Sequence, residues 1–140
     1  MRIFFDPNTL RQSRLGSITG VVYFDFGVER QFPSLGWNDF VVVLASWWMV
    51  GLKEVTERAS EVKLRFMDGP YWITVVSQDG GVFLRCTEDR RGAGVVYEFK
   101  VELSDLTGEI FTFARNVSDA CKTAGITSVD LENMRTALPN

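Results

Sequence analysis

Hydrophobic positions recur at two spacings along the chain, and the switches between them set out its elements. From Ile18 to Phe26 the period is two. Ile18, Val22, Phe24 and Phe26 share one side, interrupted only by Gly20, while Thr19, Tyr23 and Asp25 share the other. That is the pattern of a half-buried strand. Upstream, Ile3 to Phe5 suits a short edge strand, Asp6-Pro7-Asn8 is a turn signal, and Asn8 to Leu15 suits one or two helical turns. Downstream, Gln31 to Gly36 reads as an irregular connection fixed by Pro33. Asn38 or Ser34 is then placed to cap a helix, with Asp39 at its positive dipole end. The helix is expected from Asn38 to Arg58. Its first half is apolar nearly all round. Its second half turns Leu52 and Val55 inward and Lys53, Glu54, Glu57 and Arg58 outward. The valines at 41–43 also suit a strand, but length and helical spacing favour the helix.

At Glu61 the period returns to two. Val62, Leu64 and Phe66 alternate with Glu61, Lys63 and Arg65. Turns at Asp68-Gly69-Pro70, Gln78-Asp79-Gly80-Gly81 and Asp89 to Gly94 separate further strands over Tyr71–Ser77, Val82–Glu88 and Val95–Leu103. In the last, Val95, Tyr97, Phe99, Val101 and Leu103 are expected on one face, with Val96, Glu98, Lys100 and Glu102 on the other. A second helix is expected over Ser104–Ala124, with the stripe Leu106, Ile110, Phe113, Val117 and Cys121 ended by Gly125. Thr127 or Ser128 then caps a short helix through Leu138, with Asp130 and Glu132 in its first turn. The order β-α-β-β-β-β-α-α predicts an α+β fold: an antiparallel meander of about five strands packed against a long apolar helix, with C-terminal helices.

Composition narrows the function more than the fold. At 140 residues, 46% hydrophobic, residues 1–140 are expected to form one domain with a core of its own. A net charge of -3 argues against direct nucleic-acid binding. The absence of histidine removes the commonest general base, the usual catalytic triads and most zinc sites. Cys86 and Cys121 sit in apolar patterns and are expected to be buried free thiols. The N-terminus meets a charge and a proline too early for a secretory apolar region, so a cytoplasmic location is expected. The longest apolar stretch, Phe40 to Leu52, is 13 residues, where a spanning helix needs about 20.

No catalytic constellation assembles from what remains. Asp25 is expected on the polar face of its strand, Asp68 in a turn, and Glu88 to Arg91 at a solvated loop tip. Cys86 has no histidine to activate it, and neither a phosphate-binding lysine loop nor a GxGxxG motif is present. No enzyme activity, cofactor or metal is expected.

Surface-forming residues carry the functional signal. Trp47 and Trp48 project about 100° apart on a helix, so burying both needs protein on two flanks. Otherwise one of them lines a groove or meets a partner. The sheet's outer face is the other candidate, with Glu61, Trp72, Phe83, Arg85 and Glu98 forming aromatics among mixed charges. Residues 101–140 carry the whole net negative charge, so Glu102, Asp105 and Glu109 join the candidate partner-binding set as an acidic patch suited to a basic protein. An exposed edge at Ile3–Phe5 or Glu61–Met67 allows a weak dimer as well as a monomer.

The segment Gln31 to Trp48, with its Phe-Pro-Ser-x-Gly-Trp-Asn-Asp-Phe start and Ser-Trp-Trp centre, resembles one in small bacterial immunity proteins. These belong to contact-dependent growth inhibition and other polymorphic toxin systems. Phe66-Met67-Asp68-Gly69-Pro70-Tyr71 adds to the likeness. The resemblance rests on scaffold residues and transfers no toxin-contact residue. It implies a cytoplasmic, non-enzymatic protein that binds a cognate toxin domain, often a nuclease, and blocks its active site or substrate entry. Two other readings fit the composition. One is a secretion chaperone holding an extended partner segment. The other is a ligand-binding or enzymatic domain with a pocket at the tryptophan-rich helix.

Overall fold

The computed structural model describes residues 1–57 and 60–139. The alternating run at Ile18–Asp25 forms β2, and it is the centre of the first sheet. On one side it pairs antiparallel with β1 (Arg2–Gln12). On its other side β3 (Gln31–Phe32) and β4 (Asn38–Asp39) bond to opposite ends of β2. Between them Trp37 keeps contact, its carbonyl accepting from Val22 N–H at 2.8 Å.

Two expectations for this region change. Residues Asn8 to Leu15 do not make helical turns; the strand runs to Gln12. Its register with β2 shifts between Asp6 and Arg11, so the turn chemistry of Asp6-Pro7-Asn8 makes an irregularity inside a strand. There the Thr9 hydroxyl donates to the Asp6 carbonyl at 2.6 Å and accepts from Val21 N–H at 2.8 Å, standing in for ladder bonds. The long helix, α1 (Val41–Glu57), begins after Asn38 and Asp39, which belong to β4. Arg58, its expected last residue, lies outside the described residues.

The second sheet is the expected meander, β5 (Glu61–Arg65), β6 (Tyr71–Gln78), β7 (Gly81–Asp89) and β8 (Ala93–Val101), antiparallel throughout. The β6–β7 turn uses Asp79 and Gly80, both at positive φ (44° and 82°), as a two-residue hairpin requires. The strand at Ile18 is thus in a sheet of its own, and the meander has four strands. Its last strand stops at Val101, because Leu103 begins α2 (Leu103–Thr123) with Glu102 as N-cap. Gly125 follows at φ +68°, and Ser128 caps α3 (Val129–Ala137) by accepting from Leu131 N–H at 3.0 Å.

Helix α1 packs on β5 and β6 of one sheet, β2 of the other, and on α2 and α3. Surrounded this way, its apolar first half has buried partners on several sides. Gly51 lets it close on the meander, since a Cβ there would meet Leu64 Cδ2 at 3.0 Å. Trp48 is fully buried where the layers meet. It packs on Phe24, Phe66 and Phe113 at 5.3 Å each and donates Nε1–H to the Arg65 carbonyl at 3.0 Å. Helix α2 lies on β1, burying the expected stripe Leu106, Ile110, Phe113, Val117 and Cys121. Among the described residues, no helix is long and apolar enough to cross a membrane.

Candidate functional site

The meander buries Val62, Leu64, Ile73, Val75, Leu84 and Cys86 toward the helices, which sends the intervening residues to its outer face. Pairing sorts that face into rows. Glu61, Val76, Phe83 and Lys100 form one, Lys63, Thr74, Arg85 and Glu98 the next, and Arg65, Trp72, Thr87 and Val95 the third. Thr74 and Thr87 are buried by their neighbours and make a floor. Trp72 and Phe83 stand half-buried above it. Lys63 Nζ lies 4.8 Å from the Trp72 ring centre, Arg65 Cζ 5.8 Å, and Lys100 Nζ 6.0 Å from that of Phe83. Cations in such positions are drawn to the ring faces. One ion pair crosses the face, Arg85 Nε to Glu98 Oε2 at 3.3 Å, with both side chains about half exposed and therefore adding little to stability. The rows hold Lys63, Arg65, Arg85 and Lys100 against Glu61 and Glu98, and Asp89 continues the same face of β7 opposite Ala93, so the face carries a small basic excess on a net acidic chain.

Five of the eight residues chosen from the sequence therefore meet on one surface: Glu61, Trp72, Phe83, Arg85 and Glu98. The other three do not join them. Glu102 and Asp105 belong to the start of α2. Glu109 is committed elsewhere, its Oε1 accepting the Ile3 N–H at 2.7 Å and so closing part of the β1 edge at Ile3–Phe5. Val96 is the extra residue of a bulge opposite Cys86 and Thr87, which leaves both Val95 and Val96 exposed. Alternation alone had set Val95 on the inner face.

The segments Gln31–Trp48 and Phe66–Tyr71 meet around Asp39, a residue that the sequence pattern alone places at a helix end. Asp39 is 1% exposed. Its Oδ2 accepts from Trp37 Nε1 at 2.9 Å and Asp68 N–H at 3.2 Å, and its Oδ1 from Phe40 N–H at 2.7 Å. Burial pushes its carboxyl above the ordinary value, while these hydrogen bonds pull it down. Beside it Trp37 and Phe32 pack edge-on against Tyr71 at 5.1 and 5.7 Å, and Phe32 against Phe66 at 5.8 Å. The sequence signal was an acid between Trp37 and Phe40 at the head of an apolar run, where a carboxylate needs donors.

The remaining candidates have structural partners. Asp25 Oδ1 accepts from Gly27 N–H and from Gln31 Nε2, each at 3.1 Å. Arg90 pairs with Glu88 and donates to the Tyr71 hydroxyl. Cys86 and Cys121 are buried free thiols; burial pushes Cys86 to about 12 and also raises Cys121 against the opposing charge of Arg135. Of the adjacent tryptophans, Trp48 is core and Trp47 is 44% exposed at an open groove. The chain matches no protein-family model, no curated protein and no solved structure.

Proposed function

We propose that the chain is a non-catalytic protein-binding domain of the immunity type, which docks on a folded cognate toxin domain through the outer face of the meander. The observation that carries this reading is the placement of Trp72 and Phe83, each half-buried beside cations, in the two rows that flank the Lys63–Thr74–Arg85–Glu98 row on the sheet's outer face. Aromatic anchors with a polar rim are the usual anatomy of a specific interface. The resemblance of the Gln31–Trp48 and Phe66–Tyr71 segments supplies the toxin as the partner. The basic excess on the face favours a toxin surface carrying acids. Inhibition of a nuclease would then come from docking on an acidic surface beside its basic substrate groove and obstructing entry sterically, without imitating phosphate. Two buried, unpaired thiols suit action in a reducing cytoplasm.

The test is titration of the chain into the folded domain encoded by the neighbouring gene, followed by assay of that domain's activity. A stoichiometric complex with Kd near nanomolar, about -12 kcal/mol, and loss of toxin activity are expected. A partner that binds only when unfolded would favour a chaperone, and absence of binding would remove the reading.

A further inference from the structure

Beside the outer face, the free edge of β5 opens into a groove against α1. Ser77 N–H donates to the Ser60 carbonyl at 2.8 Å and Phe66 N–H to the Tyr71 carbonyl at 3.2 Å. The alternation of an antiparallel pair then turns the backbone groups of Val62 and Leu64 toward β6, and those of Glu61, Lys63 and Arg65 toward the edge. The outward Arg65 carbonyl is taken by Trp48 Nε1. For the backbone N–H and C=O of Glu61 and Lys63, the described residues provide no partner. A groove of about 330 Å³ runs along this edge, walled on the other side by Trp47, Val50 and Glu54 of α1. Trp47 and Val50 are large apolar side chains at 44% and 56% exposure.

We infer that this groove takes an extended segment of a partner protein as a fifth strand of the meander, antiparallel to β5. Strand addition of this kind draws affinity from main-chain hydrogen bonds and specificity from alternate side chains. The chemistry of the segment follows from what each position would face. Residues beside Arg65 and Lys63 on the outer face meet cations, so they are acidic. The residue beside Glu61, with Glu54 nearby, is basic. The two residues between, beside Leu64 and Val62, turn inward onto Trp47 and Val50 and are apolar. The segment therefore reads acidic, apolar, acidic, apolar, basic from its N-terminus. This site stands independently of whether the outer face docks a toxin.

The test uses two synthetic blocked peptides, one containing Asp-Val-Glu-Val-Lys and one with its charges reversed, Lys-Val-Lys-Val-Glu. Each is titrated into the full chain labelled for amide exchange. The first is expected to bind about tenfold more tightly, about 1.4 kcal/mol for its exposed charge pairs together. It should slow exchange at the amides of Glu61 and Lys63. The double substitution Lys63→Glu and Arg65→Glu should invert the preference, and Val50→Glu should abolish binding of both peptides. Equal affinities, no saturable binding, or protection at β8 with none at β5 would overturn the inference. So would a concentration-dependent dimer that protects the same two amides before peptide is added, since a second copy would then be the occupant.

Discussion

Replacing Asp39 by alanine probes the junction on which the segments Gln31–Trp48 and Phe66–Tyr71 converge. The substitution removes both carboxylate oxygens and strands Trp37 Nε1–H, Phe40 N–H and Asp68 N–H at a site 1% exposed. A stranded buried donor costs about 1–3 kcal/mol. Relaxation and entry of a water recover part of that, so the expected loss is about 3–5 kcal/mol, a large fraction of the stability of a domain this size. Asp39→Asn should cost less, about 1–3 kcal/mol, because an amide can satisfy one side of the cluster while its NH₂ opposes the other. Urea unfolding followed by tryptophan fluorescence measures both. The pH dependence has a definite sign. The folded-state carboxyl lies above its ordinary value of 3.8, so it adds stability below that pH and loses it as pH rises through the folded value. The advantage of wild type over Asp39→Asn should accordingly be largest below pH 3.8 and shrink above it. An alanine variant within about 0.5 kcal/mol of wild type would refute the assignment of Asp39 as the shared acceptor.

Four further outcomes follow from the packing. Trp48→Ala should cost about 3–5 kcal/mol, since it empties a fully buried site among three aromatic rings, whereas Trp47→Ala should cost under about 1 kcal/mol; urea midpoints separate them. Neither thiol should react with a thiol-exchange dye at pH 8 until urea unfolds the chain. Because Cys86 is raised from 9.0 to about 12, the stability linked to it should hold below pH 9 and fall between pH 9 and 12, measured as unfolding free energy against pH. Glu109→Ala should speed exchange of the Ile3 amide and cost about 1–3 kcal/mol, read by hydrogen exchange and thermal melting.

The sequence made local periodicity and capping legible. The stripe of α2, the Gly125 stop, the Ser128 cap and the four-strand meander all express short-range rules that the packing reinforced. Pairings between distant residues were not legible. Gln31–Phe32 and Asn38–Asp39 are strands only because β2 offers its second edge, and two-residue strands have no period to detect. Asp6-Pro7-Asn8 has genuine turn chemistry, but pairing with β2 overrides it and keeps the chain extended. At the candidate site, alternation correctly grouped Glu61, Trp72, Phe83, Arg85 and Glu98. It could not show that Glu109 is used up on a backbone N–H, nor that the bulge at Val96 exposes Val95. Charge counted along the chain pointed to an acidic surface. Folding instead gathers basic residues on the open sheet, because strand pairing selects residues by row.

The most direct measurement of the central claim is calorimetric titration of the folded domain encoded by the neighbouring gene, the proposed partner, with the wild-type chain and with the Trp72→Ala, Phe83→Ala double variant. Both side chains are only partly buried, so the variant should fold and melt close to wild type. The expected result is a wild-type Kd near nanomolar and a loss of about a hundredfold or more in the variant, about 2.7 kcal/mol from the two aromatic anchors together. Equal affinity for the two proteins would contradict the claim that the meander's outer face is the docking surface.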